Sequence, residues 1–356
     1  MQLLDLLDRE QFSIVRAEKQ AVMTDLLTSL HQWHMDRSED YRKITERVFG
    51  GRDHFYGIED IPFLPVSVFK NHAMKSMADQ DVYKVLTSSG TTGQQVSRIY
   101  LDKDTAKLQT LALSKIISHV LGNTRLPMLI VDSKSVLTNK VSFSARGAGI
   151  LGLSVFGKDH TYCLNDDFEP DEEVLQAFLE KYNGQSIFIF GFTFMIWQYL
   201  NKASLKHNYD LSKAILIHSG GWKKLKDIAV DNDTFRSALG ERFGMKEIYN
   251  FYGMVEQVGS VFLENSEGYL HCPNFADIII RNPVDFSVQK PGKEGLIQVV
   301  SALPKSYPGH SLLTEDIGIQ MGEDNAGNGW RGKYFKILGR AKKAELRGCS
   351  DTFKTS

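Results

Sequence analysis

Eight consecutive residues, Thr87-Ser88-Ser89-Gly90-Thr91-Thr92-Gly93-Gln94, carry the strongest chemical pattern in the sequence. Two glycines bracket four hydroxyls, and glycine lets a backbone bend sharply and approach a ligand closely. Consecutive N–H groups reinforced by hydroxyl donors make a concavity suited to phosphate oxygens. An ordinary Ser/Gly/Thr turn has the same composition, so this loop gains meaning only alongside motifs later in the chain. His218-Ser219-Gly220-Gly221-Trp222 offers glycines that can lie flat against a planar ligand such as adenine. Tyr252-Gly253-Met254-Val255-Glu256 combines an aromatic, a glycine and a carboxylate, and an open α/β sheet binds ligands where a strand of this kind ends. Asp316, in Thr314-Glu315-Asp316, has the acceptor geometry for ribose hydroxyls, and Gly339-Arg340 adds a cation. Read singly, each is equally a strand-end turn, a loop glutamate in water, a solvent-facing acid or a basic surface turn.

The elements that must position these residues alternate. Residues 2–49 have helical periodicity, with Val15, Val22, Leu26, Leu27, Leu30 and Trp33 on one stripe. Two prolines predict an extended, irregular path for 61–70, lying across a surface. The glycine loop sits between an apolar run at 82–86 and an extended run at 97–101. Asp102 or Asp104 can cap a helix reaching about His119, and Pro170 suits the first turn of another. Strands are predicted at 128–131, 187–190, 214–217 and 247–251, with helices after the second and third of these. This alternation predicts a layered α/β fold. From residue 260 only short strands follow, at 260–263, 276–280, 296–300 and 312–319. The expected divisions are a helical N-terminal subdomain with its extended segment (1–80), an α/β core (81–259), a β-rich subdomain (260–340) and a short C-terminal tail (341–356).

Composition narrows the function. With 42 Lys and Arg against 43 Asp and Glu in 356 residues, no global field favours nucleic acid or an anionic membrane. Cys163, Cys272 and Cys349 are too far apart to form a disulfide framework or a metal-ligand pair. No run has the length of a transmembrane helix and the first residues do not read as a signal peptide, so a cytoplasmic protein is expected. The string Gly147-Ala148-Gly149-Ile150-Leu151-Gly152 fits G-x-G-x-x-G, but 142–146 is too polar and short for a central strand. A dinucleotide oxidoreductase is therefore not favoured. Gly309-His310-Ser311 lacks the second glycine of a serine-hydrolase elbow.

In order and separation, S-S-G-T-T-G, G-G, Y-G-x-x-E, T-x-D and G-R resemble the adenylate-forming superfamily of acyl-CoA ligases and related enzymes. The narrower resemblance is to the bacterial acyl-protein synthetases of the LuxE type. It rests on Pro62-Phe63-Leu64-Pro65-Val66-Ser67-Val68-Phe69-Lys70, on His218 to Lys223, and on Glu345-Leu346-Arg347-Gly348-Cys349-Ser350. The resemblance implies an adenylate-forming large-domain fold whose C-terminal lid domain is reduced to a short tail. It implies ATP-dependent activation of a carboxylic, fatty acid to an acyl-AMP, then transfer to a protein cysteine thiol as a thioester. A partner acyl reductase or acyltransferase would receive the acyl group.

Carried onto this chain, Ser88, Ser89, Gly90, Thr91, Thr92 and Gly93 would hold the β- and γ-phosphates, and Glu256 would hold Mg²⁺, a hard cation that prefers oxygen ligands. Gly220, Gly221, Trp222, Tyr252 and Gly253 would frame adenine, Asp316 and Arg340 would address the ribose, and Cys349 would accept the acyl group. The run 187–199 offers an acyl pocket or plain core. A carboxylic acid, with a pKa of about 4 to 5, is already ionised at neutral pH, so adenylation needs positioning and charge cancellation rather than a general base.

The sequence also departs from the superfamily pattern. Superfamily loops often continue T-G-x-P-K, but here Gly93-Gln94 leads into Gln95-Val96, so that lysine is missing and Arg98 is the nearest cation. Val255 replaces a common threonine, Glu315 a common glycine, and only residues 341–356 follow Arg340. A carboxylate–CoA ligase and a non-catalytic nucleotide- or acyl-binding subunit are the alternatives.

Overall fold

The computed structural model describes residues 2–88, 95–137, 145–222 and 228–341. They divide into two compact units, one from 117–137, 145–222 and 228–252, the other from 2–88, 95–116 and 253–341. The helix Lys103–Leu121 contains one of the chain crossings. No helix among the described residues is long and apolar enough to cross a membrane.

The first unit is built on five parallel strands in the order Glu247–Tyr252, Ala214–Ser219, Ile187–Phe192, Leu126–Ser133, Gly157–Leu164. Ile187–Phe192 is buried at every position. That run without alternation is what a central parallel strand covered on both faces requires. Residues 187–197 are buried throughout, with Phe188, Ile189 and Phe190 fully so, while Gln198 is exposed and Tyr199 half-buried. Asp231 accepts from the Thr234 amide at 2.8 Å to start the helix Asn232–Phe243, and Gly244, at φ +71°, ends it.

In the second unit, antiparallel strands run Ala276–Arg281, Glu294–Ser301, Ser311–Glu323, Lys333–Arg340, Leu270–His271, Phe262–Glu264. The helices Arg16–Arg37 and Glu39–Phe49 are where the sequence expects helix, but the buried face of the first is Lys19, Met23, Thr24, Leu27, His31 and His34. Of the expected stripe only Leu27 is buried, and Val15 is exposed. Lys19 of the first is buried 3.7 Å from Asp277, a carboxylate that Lys333 also approaches at 3.5 Å. Two cations on one buried acid hold its pKa below the usual range despite burial.

Several local expectations change. Leu64–Pro65 pairs in parallel with Leu312 and Leu313, and Val68–Asn71 is a short helix, so 61–70 is ordered by the strand beside it. Asp171, rather than Pro170, starts the helix Glu172–Lys181 by accepting from the Val174 amide at 3.1 Å. Asp102 is the cap of Lys103–Leu121, accepting from Thr105 at 2.7 Å. Gly339 and Arg340 end a strand rather than form a turn. Gly147, Gly149 and Gly152 lie inside the helix Ala145–Ser154 instead of at a strand-to-helix turn, which removes the dinucleotide geometry.

Three buried histidines tie the N-terminal helices to the strands. His31 Nδ1 lies 2.8 Å from the Tyr41 hydroxyl, which is 3.3 Å from His310 Nε2. His34 stacks on His310 with centroids 4.9 Å apart. Its Nε2 is 3.2 Å from the Pro304 carbonyl, an acceptor only, so Nε2 carries the proton and Nδ1 accepts from Ser76 at 2.7 Å.

Burial pushes all three pKa values down, that of His34 to about 3. The unfolded chain takes these protons below about pH 6.5 and the folded chain does not. Their contribution is therefore complete above that pH and is lost as pH falls toward about 3 for His34. At pH 5.5 the loss from His34 alone is about 1.4 kcal/mol. Burial raises the pKa of Glu256 and Glu323 in the same unit. This opposing effect begins as pH falls through their raised values and is complete below the ordinary carboxylate pKa, while His271, lowered by burial to about 4, adds to the loss. Denaturant unfolding at pH 7.5 and 5.5 should give a lower midpoint at 5.5, whereas equal midpoints would contradict neutral burial of the cluster.

Candidate functional site

The base of the glycine loop is a two-stranded antiparallel hairpin, Lys84–Thr87 with Arg98–Leu101, in which Thr87 faces Arg98. Beyond it the Ser88 amide donates to the Ser97 carbonyl at 3.1 Å, and the Ser97 amide to the Ser88 hydroxyl at 2.9 Å. Ser88 thus closes the neck of the loop with its side chain. Ser89, Gly90, Thr91, Thr92 and Gly93 lie outside the described residues. Arg98 is exposed.

Glu256 belongs to the short turn Val255–Gln257 and is 9% exposed. The turn is clamped from below, where Gln257 Nε2 donates to the Gly309 carbonyl at 3.0 Å. A Cβ at Gly309 would come within 2.9 Å of the Glu256 carbonyl and closer still to the Tyr307 ring, so only glycine permits this approach. Burial raises the Glu256 pKa; neighbouring Ser97 and Lys70 oppose that, and Glu315 adds to it. The Ser97 hydroxyl is buried against the Glu256 carboxyl, and its hydrogen bonding there favours the ionised form. A buried carboxyl with a hydroxyl beside it presents oxygen ligands suited to a hard cation.

In the same unit, Asp316 and Arg340 are register partners on adjacent strands, with Arg340 Nε 3.4 Å from Asp316 Oδ1. Thr314 donates its hydroxyl to the Ile297 carbonyl at 2.7 Å and accepts from the Asp316 amide at 3.1 Å, which fixes the strand at this point. Glu315 lies between two cations, 4.0 Å from Arg340 and 3.8 Å from Lys70. Sequence reasoning missed Lys70, Glu315 and Ser97 as part of this group. The one available signal was that Lys70 ends the string 62–70 and Glu315 sits inside Thr314-Glu315-Asp316.

The parallel unit presents its own set. Gly220 and Gly221 follow the strand Ala214–Ser219, and Gly220 has φ +87°. A Cβ there would meet the Phe192 ring at 3.0 Å, so the turn needs glycine for both conformation and space. Among the described residues nothing lies within 4 Å of a Cβ at Gly221. Trp222 is half-buried and edge-on to Trp197 at 5.9 Å.

His218, fully buried, faces the Thr193 hydroxyl at 2.9 Å, and that hydroxyl donates to the Ser219 carbonyl. His218 Nδ1 therefore carries the proton, and burial pushes its pKa down to about 3, so it packs as a neutral ring. Tyr252 ends the strand Glu247–Tyr252 half-buried, and Gly253 follows it exposed. A Cβ at Gly253 would meet only ordinary contacts, at 3.6 Å from the Ser260 carbonyl.

Among the described residues no three His, Cys, Asp or Glu side chains cluster as a metal cage. A single carboxylate is what Mg²⁺ takes when phosphate oxygens and water supply the remaining ligands, so Glu256 with the Ser97 hydroxyl beside it fits that ion. Cys349 lies outside the described residues. Cys163 and Cys272 are buried free thiols, as expected of core residues.

A protein-family model described as "Acyl-protein synthetase, LuxE" matches residues 3–356. A long-chain-fatty-acid–luciferin-component ligase of Vibrio harveyi is 26% identical, aligned over 94% of this chain and 87% of its own length. The protein of the same name from Aliivibrio fischeri is 23% identical over 94% and 88%. Among solved structures, 2-hydroxyisobutyryl-CoA ligase with 2-HIB-AMP, in its postadenylation state, superposes with a TM-score of 0.67 at 14% identity, covering 92% of this chain and 69% of that one. An open conformation of the same ligase gives 0.65, with 93% and 77% covered. The fold is the adenylate-forming α/β fold expected from the motif order.

Proposed function

The chain belongs to the acyl-protein synthetase (LuxE) family, a family of ligases, and from that premise we propose that it uses ATP to activate a fatty acid and transfers the acyl group to a protein thiol. A carboxylate oxygen of the acid attacks the α-phosphorus of ATP, the bond to the bridging oxygen breaks, and pyrophosphate leaves with the electron pair. The Cys349 thiol gives its proton to solvent, the thiolate attacks the acyl carbon, and the acyl–oxygen bond breaks so that AMP leaves with the electron pair. The resulting thioester is handed to a partner acyl reductase or acyltransferase. The observation that carries the first half is the buried Glu256 carboxyl beside the Ser97 hydroxyl at the neck of the glycine loop.

In this reading the loop Ser88–Gly93 binds the departing phosphates, and Ser88 keeps its neck closed. Glu256 would hold Mg²⁺, which would supply cancellation of charge on phosphate oxygens. Asp316 accepts from the ribose hydroxyls while Arg340 keeps it oriented. Gly220, Gly221, Trp222, Tyr252 and Gly253 border the adenine. Asp316→Ala should weaken ATP binding by about tenfold or more, since stranding polar groups in a closed site costs roughly 1–3 kcal/mol. Calorimetry should show this with fatty-acid binding unchanged, and equal ATP affinity would remove Asp316 from the site.

The acceptor is tested by incubating the protein with ATP, Mg²⁺ and radiolabelled fatty acid, with and without CoA. A hydroxylamine-sensitive label on the protein without CoA supports the acyl-protein reading. Label appearing only on CoA would make the chain a carboxylate–CoA ligase.

A further inference from the structure

The helix Val68–Asn71 is held against the site unit by chemistry that has little to do with its own length. Val66 donates its amide to the Leu313 carbonyl at 3.0 Å, and Leu64–Pro65 runs parallel to Leu312–Leu313. The next turn therefore lies along the strand Ser311–Glu323 toward Glu315. Phe69 is 1% exposed and packs edge-on against Tyr307 at 6.0 Å, in a pocket that also backs Glu256. With Phe69 so anchored, Lys70 reaches Glu315 at 3.8 Å with only 16% of its side chain exposed.

The resulting group contains three carboxylates, Glu256, Glu315 and Asp316, and two cations, Lys70 and Arg340. Arg340 is shared, at 3.4 Å from Asp316 and 4.0 Å from Glu315. Were Lys70 removed, Glu315 would compete with Asp316 for Arg340, and its uncancelled charge would stand near Glu256 where a polyphosphate is to bind.

We propose that Lys70 is a positioning residue for nucleotide binding. By neutralising Glu315 it leaves Arg340 to Asp316 and lowers the negative charge met by an incoming triphosphate. This deepens the ATP-dependent reading and rests on it.

The test measures ATP·Mg²⁺ affinity by calorimetry, without fatty acid, on the whole chain and four variants. Lys70→Met should weaken binding about tenfold at low salt, and less at high salt because the pair is partly exposed. Lys70→Arg should bind within about twofold of the parent, since a cation is retained at the same reach. Glu315→Gln alone should bind at least as well as the parent. Lys70→Met/Glu315→Gln should recover most of the lost affinity, because it removes the stranded charge along with its partner. That recovery also separates charge imbalance from misfolding, which a second substitution would not repair. Parent-like affinity in Lys70→Met, or a double variant as weak as the single one, overturns the inference. A parent protein that does not bind ATP overturns the ATP-dependent reading itself.

Discussion

The chain carrying Cys349→Ser is expected to run fatty-acid-dependent ATP–pyrophosphate exchange at the parent rate while forming no acyl adduct. Exchange reports only the attack of carboxylate on phosphorus and its reversal, and no thiol takes part. The adduct needs a thiolate. Cys163 and Cys272 are 1% exposed, and burial pushes the Cys163 thiol up to about 12 and that of Cys272 well above its usual value. Neither is a usable nucleophile near neutral pH. Cys349, flanked by Arg347, Gly348 and Ser350, is the remaining cysteine of the chain. A cation two residues away favours thiolate. Mass spectrometry of the hydroxylamine-sensitive product should place the acyl group on Cys349, and an adduct that survives Cys349→Ser would transfer the role elsewhere.

The second large effect is expected at Glu256. Glu256→Gln keeps shape and removes charge, so pyrophosphate exchange should fall by about a hundredfold or more, as happens when one preorganised charge-stabilising group is lost. Stability should not fall with it. The Gln257 clamp on Gly309 and Val299 is untouched, and the substitution relieves a carboxylate whose ionised form burial disfavours. Lost activity with an unchanged or raised unfolding midpoint is the signature of a residue kept for chemistry at some cost in stability. Full exchange activity in a folded Glu256→Gln protein would exclude it from charge stabilisation.

How much was legible in the sequence depends on where each signal comes from. The strand Ile187–Phe192 declared itself through an unbroken apolar run and the helix Lys103–Leu121 through Asp102 as a possible cap, which are local properties. Motif order carried the fold family because Gly220-Gly221, Tyr252-Gly253 and Gly339-Arg340 sit at strand ends, and Thr314 to Asp316 inside the strand Ser311–Glu323, at separations the topology fixes. Lys70 was invisible as a site residue. Its place depends on Leu64–Pro65 pairing with a strand about 250 residues later in the chain, and no local pattern encodes a partner that distant. The strand Lys333–Arg340 was missed for a related reason. Lys336, Gly339 and Arg340 break the apolar alternation, and their backbone is held by the register with Ser311–Glu323 rather than by propensity. The histidine cluster likewise joins His31 and His34 to His310 across the length of the chain. Neutral histidines in a core look the same in a sequence as histidines on a surface.

The central claim is that this chain activates a carboxylic acid as its adenylate. The most direct measurement incubates the protein with ATP, Mg²⁺ and labelled pyrophosphate, with fatty acids of graded length supplied one at a time and an acid-free control. The account predicts label entering ATP only when an acid is present, with one range of chain length preferred. Label entering ATP at the same rate without any acid, or no label entering with any acid while ATP is bound, would contradict it.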